Sequence, residues 1–278
     1  MTDISSIENE LFLKYFSEFL EANFFSKGNV GPVRILEVGC GKGDFFKFLL
    51  NKYQDKISII GIDQEKVIVE AKERLQGFSF GNGSRLLPVG LLEYKEESEF
   101  DVVLFTKSLH HIFPLDKAVE HAYSLIRTGG YLVAEEFQRN DVSKKTIHWF
   151  FDRVNLIKTC GLIENPNPEK LSEHRRQRLR TFFDVNLPTK ERWEVNFLNH
   201  NPPLPSKQEL LSAVTAVFGE KNTHLEAGLP FLFHLVANSG LKDNEEGRAT
   251  LKELIEQEFR AIKHETISPI GIVMSAQK

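Results

Sequence analysis

A mostly parallel β-sheet covered by helices on both faces is the fold class that this chain of 278 residues predicts, and two observations predict it. Short apolar runs alternate with amphipathic segments through the first half of the chain, which is the order of a β-α-β-α fold. The first apolar run leads straight into Gly39-x-Gly41-x-Gly43, a turn at the strand-to-helix junction where open sheets of this kind bind ligands.

The elements follow in order. Ile7, Leu11, Tyr15, Phe16, Phe19 and Leu20 recur at helical spacing, so residues 4–26 read as a helix, ended by Ser26-Lys27-Gly28-Asn29. Val33 to Val38 reads as a strand and Asp44 to Tyr53 as a helix. Ile57 to Ile62 is a second strand and Glu65 to Leu75 a second covering helix. Strands are expected at Arg85 to Val89 and Phe100 to Phe105, then a helix at Leu115 to Ile126. Gly129-Gly130 reads as a turn before a strand from Tyr131 to Glu135. Helical pattern returns at Ser206 to Phe218 and Glu245 to Ile262, with a last strand near Pro269 to Ser275.

Residues 141–205 break this pattern. They hold six of the eleven prolines and 11 basic against 8 acidic side chains, in a chain whose formal net charge is -4. The segment reads as a mostly helical insertion acting as a cap. The expected division is an N-terminal helical segment (1–29), a cofactor-binding core (30–140), the cap (141–205) and a C-terminal part of the core (206–278).

Composition narrows the class further. Apolar residues make up 41% and charged residues 27%, which excludes a disordered chain and a collagen-like one. Two cysteines, Cys40 and Cys160, cannot build a disulfide framework and fit a reducing compartment. The N-terminus lacks the basic flank and apolar run of a signal peptide, and no run of about 18 apolar residues appears. The chain as a whole shows no basic excess of the kind nucleic-acid binders carry. The expectations are a cytoplasmic location, no membrane and no nucleic-acid partner, as monomer or homodimer.

The glycine loop carries the most chemistry. A dinucleotide fingerprint spaces its glycines as Gly-x-Gly-x-x-Gly, to seat a pyrophosphate on the helix N-terminus. Here the third glycine comes one residue early, and Glu37 and Asp44 flank the loop. Carboxylates there repel a pyrophosphate and suit a ligand bearing an ammonium and a sulfonium. The second strand ends in Asp63, 24 residues after Gly39, where a carboxylate accepts hydrogen bonds from ribose hydroxyls. Loop, Glu37 and Asp63 together point to adenosine recognition.

With these residues the sequence resembles the class I S-adenosylmethionine-dependent methyltransferases. Ile35 to Asp44 is similar to the family's first motif and Gly61-Ile62-Asp63 to its second. Phe100 to Phe105 is similar to its fourth strand. Leu109-His110-His111-Ile112 resembles the Leu-His-His segment of the small-molecule branch, and Leu125 to Leu132 the turn into the fifth strand. The resemblance covers residues 30 to 137 and, more loosely, 206 to 278. It implies a Rossmann-like seven-stranded sheet and S-adenosylmethionine as cofactor. It implies that Glu37, Gly39, Cys40, Gly41, Gly43, Asp63, Gln64, Leu91, Leu92, Thr106 and Lys107 surround that cofactor. One position departs: Leu91 stands where the family often has an acid for the adenine amino group.

The implied reaction is an in-line displacement at a sulfonium methyl, to which the protein contributes position and electrostatics. A base is needed only where the acceptor arrives protonated. His111, and after it His110, are the candidates, since imidazole titrates near neutrality; the alternative is that either caps a helix or packs as a neutral ring. Glu135 and Glu136 end the fifth strand facing opposite sides, so one of them can meet a substrate. Tyr15, Glu136, Trp149 and Arg176 are the candidate substrate residues. The aromatic run His148-Trp149-Phe150-Phe151 reads either as a substrate cover or as core. The arginines between His174 and Arg180 read either as an acid-binding cluster or as a solvated helix face.

Other chemistries lack their residues. The Asp/Asn-Pro-Pro-aromatic segment of amino-group methylation on nucleic acids is replaced by Thr106-Lys107-Ser108-Leu109, and Asn201-Pro202-Pro203-Leu204 lies in the insertion. No cysteine nucleophile, acidic magnesium cluster or zinc pattern is spaced for use, so no metal is expected. The expected function is methyl transfer to a small organic metabolite at O, N or C. Two alternatives stay open: a protein or peptide methyltransferase, and a non-catalytic binding module of the same fold.

Overall fold

The computed structural model describes residues 3–28, 31–81, 83–96, 99–164 and 173–278. Asn29, Pro166 and Pro168, used above to end the first helix and mark the insertion, lie outside the described residues, as do the side chains of His174 and Arg175.

Seven strands form one sheet in the order β3-β2-β1-β4-β5-β7-β6. They are β1 (Val33–Val38), β2 (Ile57–Asp63), β3 (Arg85–Pro88), β4 (Phe100–Thr106), β5 (Ile126–Phe137), β6 (Thr223–Leu229) and β7 (Gly271–Gln277). The pairs β1–β2, β1–β4, β2–β3 and β4–β5 are parallel, as long apolar runs buried on both faces predict. The chain passes from β1 outward to β2 and β3 and then returns to place β4 on the other side of β1. The loops after β1 and β4 therefore part at the switch point where such sheets hold ligands.

Helices α1 (Ile4–Asn23), α2 (Asp44–Tyr53), α3 (Glu65–Arg74) and α4 (Leu115–Leu125) follow the sequence pattern closely. On one sheet face Leu36, Ile60, Val103 and Leu132 pack with Ala118, Val119 and Ala122 of α4 and with Leu210, Val214 and Phe218 of α8 (Lys207–Phe218). On the other, Phe12 of α1 meets Phe45 of α2 at 5.3 Å between ring centroids, and Phe19 meets Tyr131 of β5 edge-on at 5.1 Å. The seven-stranded, mostly parallel, helix-covered architecture is the expected one.

Two expectations are corrected. Gly129-Gly130 is not a turn before the fifth strand: β5 begins at Ile126 and runs through both glycines. The register slips between Phe100 and Val102, a bulge that the glycines permit. A Cβ on Gly130 would lie 2.8 Å from the Asp101 carbonyl oxygen, so only glycine lets the strands stay paired there. The second is β6, which the pattern did not announce. Its residues are all partly or fully exposed, as befits the outermost strand of the sheet.

The chain divides into two units. The α/β unit comprises Asn9–Glu136, Gln208–Glu226 and Ile272–Lys278. The other comprises Met1–Glu8, Phe137–Lys207 and Ala227–Gly271 and is largely helical. It contains α5 (Lys144–Thr159), α6 (Glu173–Phe183), α7 (Thr189–Trp193), α9 (Leu232–Ala237) and α10 (Glu245–Lys263). Its centre is aromatic: Phe150 meets Phe151 at 5.0 Å and Trp193 at 6.0 Å, and Phe151 meets Phe182 at 5.4 Å. Each such buried ring contributes about 1.5–3 kcal/mol. Ser143 caps α5 by accepting from the Thr146 N–H at 3.2 Å, and Asn244 caps α10 by accepting from the Gly247 N–H at 2.9 Å. Among the described residues no helix is long and apolar enough to cross a membrane.

Candidate functional site

The α/β unit holds a cavity of about 730 Å³ at the carboxyl ends of its central strands. Its lining includes Gly39, Asp63, Gln64, Leu91, Leu92, Lys107 and His111, all expected from the sequence. It also includes residues the sequence reading passed over, among them Val67, Gly90, Glu93, Ser108, Ile112 and Phe113.

The glycine loop is fastened before any ligand arrives. The N–H groups of Gly39 and Cys40 both donate to the Ile62 carbonyl, at 2.8 and 3.1 Å. Gly39 has φ +71°, and a Cβ there would lie 2.5 Å from the Ser108 Cβ. This close approach lets the Ser108 hydroxyl donate to the Val38 carbonyl at 2.5 Å, which locks the loop after β1 to the loop after β4. Gly43 has φ +77° and turns the chain into α2. Asp44 is not left to act on a ligand: Arg74 grips both its oxygens, at 2.8 and 3.1 Å.

Asp63 ends β2 in the cavity lining. One carboxylate oxygen accepts from the Gly41 N–H at 2.9 Å and the other from the Gln64 N–H at 2.7 Å. Each oxygen keeps a second lone pair, so the carboxylate is aimed but not saturated.

Glu37 is wholly buried beneath the loop. The Thr106 hydroxyl donates to its Oε1 at 3.4 Å, while Oε2 has no hydrogen-bond partner among the described residues. Burial, with only partial relief from Thr106, pushes its carboxyl up to about 8. A buried acid with an unused oxygen is better matched to a cationic ligand than to a pyrophosphate. Burial, followed by the charges of Glu37 and Asp63, pushes the Cys40 thiol far up, which disfavours the thiolate.

The rim of β4 and β5 carries two more charged or titratable pairs. Lys107 adopts φ +60°, unusual for a residue with a side chain. Its Nζ lies 3.2 Å from Asn9 Oδ1 and 3.5 Å from Glu135 Oε2. Glu136, on the opposite face of β5, is wholly buried and pairs with the ring of His110, which is itself 4% exposed. The two acids that end β5 thus both have cationic or imidazole partners. His111 follows His110, is exposed, and lines the cavity.

The remaining candidates have other surroundings. Tyr15 hydrogen-bonds Ser275 of β7, and burial followed by the Glu226 charge raises its hydroxyl above the ordinary value. Trp149 is core in the helical unit, with the Arg153 guanidinium 3.6 Å over its ring. Arg176 pairs with Glu173 at 2.6 Å on the same helix, and Arg178 donates to the Asn196 carbonyl. Trp149, Phe150 and Phe151 of α5 are therefore core, while His148 is exposed, and Arg176 and Arg178 of α6 are tied within their own unit. Among the described residues no group of three or more His, Cys, Asp or Glu side chains is placed to hold a metal ion.

Where the family often has an acid, at Leu91, the cavity wall is apolar; Glu93, two residues on, lines it instead. A Cβ on Gly90 would meet the Glu93 carboxylate at 2.5 Å, so the side chain folds back over Gly90 because that position is bare. The spacing of one acid two places late was visible in the sequence and was passed over.

Comparison with known proteins gives concordant results. Residues 36–132 match the profile of a family described as "Methyltransferase domain". The chain is 28% identical over 145 residues to the carboxy-S-adenosyl-L-methionine synthase of Helicobacter pylori, which is 49% of this chain and 57% of that protein. It spans 56–62% of the length of the curated relatives it matches. Among solved structures it resembles the plantazolicin methyltransferase BpumL in complex with a triazolic desmethylPZN analog and SAH. The TM-score is 0.54 at 13% identity, over 98% of this chain and 85% of that one. A Haemonchus contortus phosphoethanolamine N-methyltransferase 2 aligns at TM-score 0.50 and 13% identity, over 94% and 52%. The last two likenesses are of fold. Residues 36–132 thus match a methyltransferase domain, and the glycine loop, Asp63 at the second strand end and the β3-β2-β1-β4-β5-β7-β6 sheet are the features that the resemblance to the class I S-adenosylmethionine-dependent methyltransferases implies.

Proposed function

We propose that this chain transfers a methyl group from S-adenosylmethionine to a hydroxyl or amine of a small organic acceptor, one that arrives bearing the proton it must lose. The observation that carries the reading is a single cavity with Asp63 at one part of its wall and His111 and Lys107 at another. Its volume of about 730 Å³ falls within the roughly 300–1,000 Å³ of small-molecule sites. When bound, the cofactor supplies an electrophilic methyl on a sulfonium.

The chain's own residues divide the remaining work. Asp63 accepts from the ribose hydroxyls. Glu37 receives the ammonium end through its unused oxygen. Leu91, Leu92, Val67 and Ile112 form apolar walls for the adenine, and Glu93 accepts from its amino group. His111 accepts the acceptor's proton at a ring nitrogen, the work an imidazole does well near neutral pH. The names of similar proteins support a small substrate, carboxy-S-adenosyl-L-methionine and phosphoethanolamine being small molecules.

Calorimetric titration with S-adenosylhomocysteine, beside Asp63→Ala and with NADH as control, tests the cofactor half. Micromolar binding by the native chain, lost about 100-fold in the variant, is expected, since hydrogen bonds to a charged group contribute about 1.5–3 kcal/mol. No binding by folded protein would overturn it in favour of a non-catalytic module. Methyl transfer from labelled cofactor to a panel of phenols, amines, carboxylates and short peptides tests the acceptor half. Turnover confined to carboxylates or to peptides would overturn it.

A further inference from the structure

We infer that Glu136 is a positioning residue for this reaction: it fixes the His110 imidazole, and through the packed rings the orientation of the cavity-lining His111. The inference rests on the proposed role of His111 as proton acceptor.

The geometry has three parts. First, Glu136 holds His110 at two points. Its Oε1 accepts from the His110 backbone N–H at 3.3 Å, and its Oε2 pairs with the ring Nδ1. Backbone and ring together leave the imidazole no rotamer freedom. Second, the His110 and His111 rings pack at 4.0 Å between centroids, tilted by 48°. The orientation of one ring therefore limits the other. Third, both histidines lie on the single turn Leu109–His111 that follows β4, and His111 lines the cavity.

Stability alone is a poor reason for such a pair. Glu136 is wholly buried and His110 nearly so. Desolvating a carboxylate and an imidazole costs several kcal/mol, and apolar side chains of similar size commonly fill such a space as well or better. Their place at the carboxyl ends of β4 and β5, beside the cavity, is where a fixed ring has a use. A carboxylate at Nδ1 also selects the tautomer: Nδ1 carries the hydrogen and Nε2 keeps its lone pair.

Imidazole nitrogen NMR of the full-length, 15N-labelled chain tests this without any acceptor. In the native protein His110 is expected as the Nδ1–H tautomer. In Glu136→Gln, the His110 signals should move toward the Nε2–H form, and the His111 ring signals should shift or broaden as that ring gains freedom. A purely structural Glu136 would lower the melting temperature and leave the His111 signals in place, which would overturn the inference. So would an Nε2–H tautomer for His110 in the native chain, an outcome readable even where the variant fails to fold. Titration of the native chain with S-adenosylhomocysteine is the separate control. Its failure overturns the cofactor reading and leaves the ring geometry to be judged by the NMR alone.

Discussion

Among the described residues the helical unit buries Arg139, Arg192 and Glu258, and the α/β unit buries Glu37, Asp101, Glu135 and Glu136. In the helical unit, Arg192 is 1% exposed, yet its guanidinium donates to the Phe182 carbonyl and to Asn155 and lies 4.0 Å over the Phe151 ring. Arg139, 2% exposed, donates to the Pro205 carbonyl and lies over Phe137. The Arg192 charge is spent on a main-chain carbonyl, an amide side chain and an aromatic face of its own unit. In the α/β unit, Glu135 and Glu136 are paired on the rim, while Glu37 keeps a buried oxygen without a hydrogen-bond partner among the described residues. The difference separates two uses of a buried charge. One engaged within its own unit, as Arg192 is, holds the fold; one left with an open valence is the kind we propose meets a ligand.

The largest expected effect comes from the engaged kind. Arg192→Ala strips the Phe182 carbonyl and Asn155 of their donor and leaves a void. It should destabilise the chain by about 3–5 kcal/mol in denaturant titration. A loss below about 1 kcal/mol would mean that the buried arginines are not structural, and the contrast would fall.

Glu37→Gln should act in the opposite sense on stability. It removes a buried group that burial holds protonated up to about pH 8, so the variant should be no less stable than the native chain at pH 8.5. It should bind S-adenosylmethionine about 10- to 100-fold more weakly, because the ammonium then meets a neutral amide. Weaker folding with unchanged affinity would place Glu37 with the arginines.

The same carboxyl sets a pH dependence. Its folded value of about 8 lies above the ordinary 4.5. Between those values the folded chain holds a proton that the unfolded chain has lost. Native stability should therefore fall as pH rises through that window, by at most about 1.4 kcal/mol per unit, and level off above 8. A cationic ligand favours the ionised carboxylate, so cofactor affinity should rise with pH up to about 8 and then plateau. Glu37→Gln should flatten both curves, measured by thermal melts and calorimetry across pH 5.5–9.

The smallest effect belongs to Glu93, which stands on the exposed side of the cavity. Glu93→Ala should weaken S-adenosylhomocysteine binding about 3- to 10-fold, the worth of one hydrogen bond near solvent. Inosine-containing analogues, which lack the amino group, should bind the native chain and the variant equally. A larger preference for adenine in the variant than in the native chain would remove Glu93 from the adenine's surroundings.

Much of the fold and of the cofactor end of the site was legible in the chain, because both are written locally. A buried parallel strand is a short apolar run, and β1 and α2 lie at the expected bounds. The glycine loop and Asp63 are read by spacing, since a strand end and the turn that follows it are contiguous in sequence. Where a local signal had two meanings, the reading failed. Gly129-Gly130 has the composition of a turn, yet β5 runs through it with a register shift against β4, and only the neighbouring backbone shows why glycine is required. The outermost strand β6 lacked an apolar run because an edge strand need not bury both faces.

What the tertiary structure alone decided is partnership. Sequence placed Glu135 and Glu136 on opposite faces of a strand, but not that one meets Lys107 and the other His110, 26 residues away. It put His111 ahead of His110 by resemblance alone; the fold buries His110 against a carboxylate and sets His111 in the cavity wall. It placed Asp44 by the loop without showing that Arg74 claims it. Backbone preference and hydrophobic period act over a few residues and can be read along the chain. Charge pairing and desolvation depend on which distant groups are brought within about 4 Å, and that is a property of the assembled sheet.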